Sequence, residues 1–111
     1  MSHRIAQVNE LIRQELSNLI LTEVEFPQGC LVTIIRVETS KDLRHAKVWI
    51  SVIPAYFITK ALERLKHNIG QLQFELNKRL SFKPLPRIRF LIDKTEEQAT
   101  EIDRLLDRIK E

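Results

Sequence analysis

Apolar positions recur along the chain with two different spacings, and these spacings predict its secondary structure. Steps of three and four residues place apolar side chains on one face of a helix, whereas strict alternation places them on one face of a strand. Helical spacing predicts a first helix that begins after a Ser2 cap and ends near Thr22. Its apolar positions are Ile5, Val8, Ile12, Leu16 and Leu19.

Two strands joined by a tight turn are predicted to follow this helix. Pro27 and Gly29 first break the helical period. Residues 31–38 are rich in β-branched side chains, and residues 46–52 alternate between apolar and polar positions. The intervening residues 40–43, Ser-Lys-Asp-Leu, are expected to form the hairpin connection.

A longer helix with an interruption is predicted over residues 57–80. Apolar side chains again recur in steps of three and four, and Gly70 lies in the middle of them. The glycine indicates a break, because glycine is a poor helix former. The apolar stripe consists of Ile58, Leu62, Leu65, Ile69, Leu72, Leu76 and Leu80.

A third strand and a last helix complete the predicted order. Pro84 and Pro86 bracket an extended entry into a strand at residues 87–92. A helix capped by Thr95 comes last, with an apolar seam at Ile102, Leu105, Leu106 and Ile109. The element order α-β-β-α-α-β-α predicts an α+β fold in which residues 1–111 form a single domain.

Composition narrows the class of protein. A chain of 111 residues with 43% hydrophobic content can bury one core without crosslinks. The lone cysteine, Cys30, cannot form an internal disulfide and is expected to be a small buried residue at the start of a strand. No apolar run approaches the roughly 20 residues that cross a bilayer, and no secretion signal is evident. We therefore expect a cytoplasmic protein without membrane contact.

Catalytic chemistry is not expected of this chain. His3, His45 and His67 show no metal-ligand spacing with one another or with Cys30. A glycine-rich phosphate loop and a nucleophile elbow are both missing from the sequence. We therefore expect no enzyme activity, no metal, no cofactor and no small-molecule substrate. Since no long heptad seam is present, a monomer is expected.

Positive charge is concentrated in one third of the chain. Residues 60–89 contain eight basic side chains and two acidic ones, whereas the whole chain has a net charge of only +3. Segregation of this kind favours a surface that faces a polyanion such as RNA. A basic helix face that is merely solvated is the alternative interpretation.

The candidate RNA-binding residues lie mainly on the polar face of the interrupted helix. At about 100° per residue, the positions opposite or flanking the apolar stripe are Lys60, Arg64, His67, Gln71, Phe74 and Lys78. Lys66 and Arg79 lie nearer the stripe and either join this surface or only extend from the apolar face. Phe74 either stacks on an RNA base or is buried, turned inward or against a partner. Burial is favoured, because large apolar groups seldom stay exposed.

Arg44 and Lys47 in the predicted hairpin are further candidates. Together with Lys41 in the turn, they would extend the basic surface across the hairpin. The alternative is that charge at the edge of a sheet only prevents aggregation.

The hairpin sequence resembles the signature segment of the ribosome-binding factor A family. It reads VETSKDLRHAKVWI from Val37 to Ile50, a valine-rich strand, a Ser-x-Asp-Leu turn and an Ala-x-Val-aromatic return. An Arg-x-x-x-Val-x-x-x-Ile pattern from Arg4 and a Pro-x-Ile-x-Phe pattern ending at Phe90 agree in the right order. The resemblance covers nearly the whole chain. It implies a type II KH-like fold, with a three-stranded sheet packed against helices, a kink between two helices and a C-terminal helix.

The same resemblance implies a function in ribosome assembly. Members of this family bind the immature small (30S) ribosomal subunit and assist late maturation of its 16S rRNA without catalysis. The partners expected of this chain are therefore the small subunit and its 16S rRNA. The residues taken alone leave open a generic KH-like RNA-binding or protein-interaction module.

The resemblance also identifies a kink. Ordinary KH domains join two helices by a Gly-x-x-Gly loop, but the two glycines of this chain, Gly29 and Gly70, are too far apart for one. The family resembled has Ala-x-Gly at a sharp helix kink, which corresponds to residues 68–70. We expect Gly70 to organise this kink and Asn68 to bond a carbonyl that the break frees. Both residues are also candidates for the RNA-binding surface. The family favours arginine where this chain has Gln73, so one basic RNA contact is expected to be missing.

Overall fold

A three-stranded sheet with its helices on one face forms the core of the protein. The computed structural model describes residues 2–83 and 85–93. Along the chain lie helix α1 (Ser2–Glu23), strands β1 (Leu31–Thr39) and β2 (His45–Ile53), a short 3-10 turn (Ala55–Phe57), helices α2 (Ile58–His67) and α3 (Ile69–Arg79), and strand β3 (Arg87–Ile92). The predicted α+β class and the order of these elements are confirmed. The predicted last helix lies outside the described residues.

The sheet is mixed, in the order β1-β2-β3. Strands β1 and β2 are antiparallel neighbours, and β2 and β3 are parallel because α2 and α3 carry the chain back across the sheet. The predicted hairpin connection is confirmed: the N–H of Leu43 donates to the carbonyl of Ser40 at 2.9 Å, and the N–H of Ser40 donates to the carbonyl of His45 at 2.8 Å.

Alternation along β2 separates a buried face of the sheet from an outer face. The inner positions Ala46, Val48, Ile50 and Val52 are buried against side chains of all three helices. The helices contribute fully buried residues from their apolar stripes, including Leu16, Leu65, Leu72 and Leu76. The intervening positions of β2, which include Lys47 and Trp49, therefore lie on the opposite face of the sheet, away from α1, α2 and α3.

A β-bulge in β1 adjusts which side chains face outward. Ile34 pairs with Ile50 and Arg36 pairs with Trp49, so Ile35 is an extra residue between two ladder positions. Ile35 is exposed, and the inner face resumes at buried Val37. The bulge therefore brings Arg36 to the outer face, opposite Trp49.

Two details differ from the predicted elements. Cys30 precedes β1 by one residue and is half-buried rather than enclosed in the core, although burial still raises the pKa of its thiol. Only the first residue of the predicted interrupted helix, Phe57, belongs to the separate 3-10 turn, and α2 begins at the next residue. Among the helices of residues 2–83, none is both long and apolar enough to cross a membrane.

Candidate nucleic-acid interface

The long helix is interrupted at Asn68. Its backbone, with φ −99° and ψ 6°, separates the last residue of α2 from the first residue of α3. The backbone N–H of Asn68 donates to the carbonyl oxygen of Arg64 at 3.1 Å, and the side-chain Nδ2 donates to the same oxygen at 2.8 Å. The side chain of Asn68 therefore bonds a carbonyl at the end of α2 as expected, but this carbonyl keeps its regular helical hydrogen bond and is not one that the break frees.

Gly70 lies two residues after the break, in the first turn of α3. Its φ is outside the left-handed range, and a Cβ added to it would meet no heavy atom within 4 Å. The expectation that Gly70 organises the kink is therefore wrong. The helix is interrupted at Asn68, and a side chain would fit at Gly70. The glycine leaves an exposed stretch of backbone that a ligand can approach closely.

Three predicted residues on α2, Lys60, Arg64 and Lys66, are exposed, and we call them the helix cations. Over residues 2–83 and 85–93, none of them forms an ion pair. His67, at the end of the helix, is exposed as well. Cations near a helix C-terminus also stabilise the helix itself through its dipole. Arg64 and Lys66 nevertheless give the last turn of α2 a positive surface beside the break, and Lys60 adds a positive charge in the first turn.

The outer face of α3 is partly neutralised by Glu75. Its Oε2 accepts a hydrogen bond from Nε2 of Gln71 at 3.2 Å and lies 3.5 Å from Nζ of Lys78. Both partners are exposed. Because exposed ion pairs are weak, Lys78 can still exchange this partner for a phosphate.

Phe74 lies on the same outer face, with 57% of its surface exposed. The ring is not turned inward, which contradicts that half of the expectation, whereas burial against a partner stays a prediction. Leu72 and Leu76 are directed into the core, which leaves the position between them on the solvent side of the helix. The ring is accompanied by the ammonium of Lys78, 4.9 Å from its centroid.

Arg79 is directed toward α1. Its Nη1 lies 3.4 Å from Oε1 of Glu15, so the pair links the end of α3 to the middle of α1. This arrangement agrees with the alternative in which Arg79 extends from the apolar face.

The hairpin candidates do not join the helix cations. Lys47 is exposed on the outer face of the sheet, and the helices cover the inner face. Arg44 lies in the turn, where its carbonyl oxygen accepts the N–H of Arg87 at 2.9 Å. The predicted surface is therefore divided between two faces of the domain.

Sequence reasoning missed the arginines that stand beside Lys47. In the parallel register of β2 and β3, His45 pairs with Arg87 and Lys47 pairs with Arg89. All four residues are exposed and line one shallow depression of the surface. The alternation of residues along β3 predicts that Arg87 and Arg89 lie on the same face of that strand. It does not predict that β3 pairs with β2, because strand pairing is decided by the fold.

A second polar cluster occupies the outer face next to these cations. The indole Nε1 of Trp49 donates to Oε1 of Glu38 at 2.8 Å, and the guanidinium carbon of Arg36 lies 4.7 Å from the centroid of the Trp49 ring. Nη1 of Arg36 donates to Oδ2 of buried Asp93 at 2.5 Å. Glu38 pairs with Lys47 in the strand register, yet its carboxylate is engaged by Trp49 and Arg36.

Gln73, where the family favours arginine, is half-buried and faces β3 rather than solvent. Its side chain bonds the backbone at Pro86 and Ile88. The position therefore connects α3 to β3 in this chain, and the expected lack of one basic RNA contact stays a prediction.

Comparison with known proteins identifies the family. Residues 4–106 match the family model described as ribosome-binding factor A. The chain belongs to the ribosome-binding factor A family. A ribosome-binding factor A of Akkermansia muciniphila is 35% identical over 109 residues, which are 98% of this chain and 86% of the relative.

Solved structures of ribosome-binding factor A share the fold. The crystal structure of the Thermus thermophilus protein is similar with a TM-score of 0.71 and 23% identity, covering 82% of this chain and 98% of the other. A Thermus thermophilus ribosome-binding factor A homology model, fitted into the cryo-EM map of a 30S complex, is similar with a TM-score of 0.68 and 26% identity. That similarity covers 80% of this chain and 94% of the other. The KH-like fold expected from the hairpin sequence is thus the fold of the family.

Proposed function

We propose that this protein binds the small ribosomal subunit through structured 16S rRNA and assists late maturation of that subunit without catalysis. Family membership over nearly the whole chain supports the ribosomal partner, as does the Thermus thermophilus relative that was fitted into a 30S complex. The observation that carries the proposal is the positive surface of α2, which has no ion pairs among the described residues and runs from Lys60 in the first turn to Arg64 and Lys66 in the last turn, next to the break at Asn68.

The helix cations are proposed to contact phosphates. Lysine and arginine that neutralise phosphates release counterions, so each such contact makes affinity more sensitive to salt. Their long side chains carry no carboxylate partner, among the described residues, that would have to be displaced first. His67, with two ring nitrogens, adds a hydrogen-bonding group at the same end of α2.

The first turns of α3 are proposed to supply shape and stacking. Gly70 has no side chain, so an RNA backbone can approach the helix closely there. The side chain of Asn68 stabilises the last turn of α2 through its hydrogen bond to the carbonyl of Arg64. Phe74 presents an exposed aromatic ring accompanied by Lys78, a combination suited to stacking on an unpaired base. Gln71 and Lys78 complete this surface, and Arg44 and Arg79 lie outside it.

The proposed effect on maturation is conformational. A protein without catalytic groups changes an rRNA folding equilibrium only by binding one arrangement of the RNA more tightly than another. The largest shift it can cause equals that difference in binding free energy. To assist maturation, the protein must therefore bind the rRNA arrangement that leads to the mature subunit more tightly than the arrangement it replaces.

Co-sedimentation of the purified protein with immature and mature small subunits over a series of salt concentrations tests this proposal, with large subunits as a control. We expect selective, salt-sensitive binding to small subunits. The variant K60Q/R64Q should flatten the dependence of log K on log salt by about 0.7–0.9 per lost phosphate contact. The matched variant R4Q/K83Q, which loses the same charge at exposed positions, should leave the slope unchanged.

Equal binding to large and small subunits would contradict the proposed partner. An unchanged slope for K60Q/R64Q would instead refute the proposed surface. If the protein binds neither subunit, the generic interaction module becomes the better interpretation.

A further inference from the structure

The outer face of the sheet carries an unusual arrangement of charge. Lys47, Arg87 and Arg89, which we call the strand cations, project from adjacent parallel strands with His45 beside them. Neighbouring strands lie about 5 Å apart and alternate residues of one strand about 7 Å apart, so the backbone places three full positive charges within a small rectangle.

None of the strand cations forms an ion pair with a carboxylate of residues 2–83 and 85–93. Glu38 is the register neighbour of Lys47, but its two carboxylate oxygens are directed to Trp49 and Arg36. The carboxylate of Glu38 is therefore bonded to Trp49 and Arg36 and does not form an ion pair with Lys47.

Like charges held this close repel one another and reduce stability. The strand cations flank a shallow depression of the outer face, where the backbone of Ala46 and Ile88 lies between them. The chemistry that complements such a surface is a row of phosphates, which take both lysine and the forked guanidinium groups of arginine as partners.

Resting on the proposed function, we infer that the strand cations form a second RNA-binding surface on the face of the domain opposite the helices. Because α1, α2 and α3, the helices of the described residues, cover the inner face of the sheet, the helix cations and the strand cations cannot contact one flat RNA surface together. The protein then lies between two rRNA segments and holds each by its phosphates. Lys47, predicted from sequence to extend the helix surface, belongs to this second surface.

The test compares three double variants with equal loss of charge: R87Q/R89Q on the sheet, K60Q/R64Q on α2, and R4Q/K83Q as control. Circular dichroism and thermal unfolding first establish that each variant folds. Binding to purified small subunits and to a short double-stranded RNA is then measured over a salt series. We expect R87Q/R89Q to reduce the salt slope by about 0.7–0.9 per lost contact on small subunits. The variant with all four sheet and α2 substitutions should show the sum of the two reductions, since the surfaces are separate.

Trp49 provides an independent measurement on the sheet. It is the single tryptophan of the chain and lies on the outer face, two residues from Lys47 along β2. Addition of the short RNA duplex should change its fluorescence in the wild-type protein and in K60Q/R64Q, and much less in R87Q/R89Q.

The outcomes separate this inference from the proposed function. A salt slope of R87Q/R89Q equal to that of the control, with Trp49 fluorescence unaffected by RNA, overturns the second surface even when K60Q/R64Q confirms the first. If the wild-type protein binds large and small subunits equally, the proposed function is refuted. In that case the duplex titration alone decides whether the sheet binds RNA.

Discussion

The side chain of Gln73 on α3 accepts a hydrogen bond from the backbone N–H of Ile88 on β3. Oε1 of the glutamine lies 2.9 Å from that nitrogen, and Nε2 donates to the carbonyl oxygen of Pro86 at 3.0 Å. Nε2 also donates to Oδ1 of Asn77 at 2.9 Å. One side chain therefore completes the hydrogen bonds of the backbone where β3 begins, immediately beside Arg87 and Arg89.

Replacement of Gln73 by alanine should lower the free energy of unfolding by about 1–3 kcal/mol. The substitution leaves the N–H of buried Ile88 and the carbonyl of Pro86 without the partner they have in this structure. Urea denaturation measures the loss. Gln71→Ala is the matched control, because Gln71 is exposed and its side chain bonds Glu75 on the surface of the same helix. Equal stability of the two variants would show that the link between α3 and β3 is energetically unimportant.

Gly70→Ala should increase stability while weakening RNA binding. The alanine Cβ meets no atom of the protein, and alanine is a better helix former than glycine by about 0.5–1 kcal/mol. A methyl group at this position would nevertheless hold an RNA backbone away from α3. Thermal unfolding and co-sedimentation with small subunits report the two effects separately. Unchanged affinity in a stabilised variant would exclude a close approach of RNA at Gly70.

Arg36→Ala should lower the free energy of unfolding by about 1–3 kcal/mol. The substitution removes the cation that bonds Asp93, a carboxylate only 3% exposed, and it also removes the group stacked on Trp49. The fluorescence of Trp49 should change at the same time. Arg13→Ala is the comparison, since Arg13 pairs with Glu10 on the surface of α1, where an ion pair contributes about 0–1 kcal/mol.

The hairpin turn should lose part of its stability in acid. The hydroxyl of Ser40 donates to the Asp42 carboxylate at 2.6 Å and the N–H of Arg44 donates at 3.1 Å, and these bonds, in that order, lower the pKa of Asp42. Because the pKa is lower in the folded state, the contribution is fully present above the unfolded value of about 3.9 and is lost as the pH falls through the folded value.

Asp42→Asn tests this pH dependence directly. The difference in unfolding free energy between the wild-type protein and the variant should be constant from about pH 6 to about pH 5 and should shrink below about pH 4. Urea denaturation at each pH measures it. A difference that does not vary with pH would mean that the charge of Asp42 does not stabilise the turn.

Local patterns were sufficient to predict the secondary elements and the hairpin. The apolar periods of α1, α2 and α3 and the alternation of β2 depend on residues close together in the chain, as does the Ser-x-Asp-Leu turn. The capping bond of Asn68 was predictable for the same reason, because its acceptor is four residues away. The bulge at Ile35 could not be predicted from local patterns, since it depends on the register between β1 and β2.

The sequence by itself determined the elements, their apolar faces and the family, and it located most of the basic residues of α2. The tertiary structure alone decided which basic residues share a surface. Lys47 and Arg89 are far apart in the sequence, yet they stand side by side because β3 pairs in parallel with β2. Lys47 and Lys60 are much closer in sequence, yet they lie on opposite faces because the helices pack against one side of the sheet. Side-chain periodicity is a local property, whereas strand pairing and the choice of a covered face come from burial of the whole core.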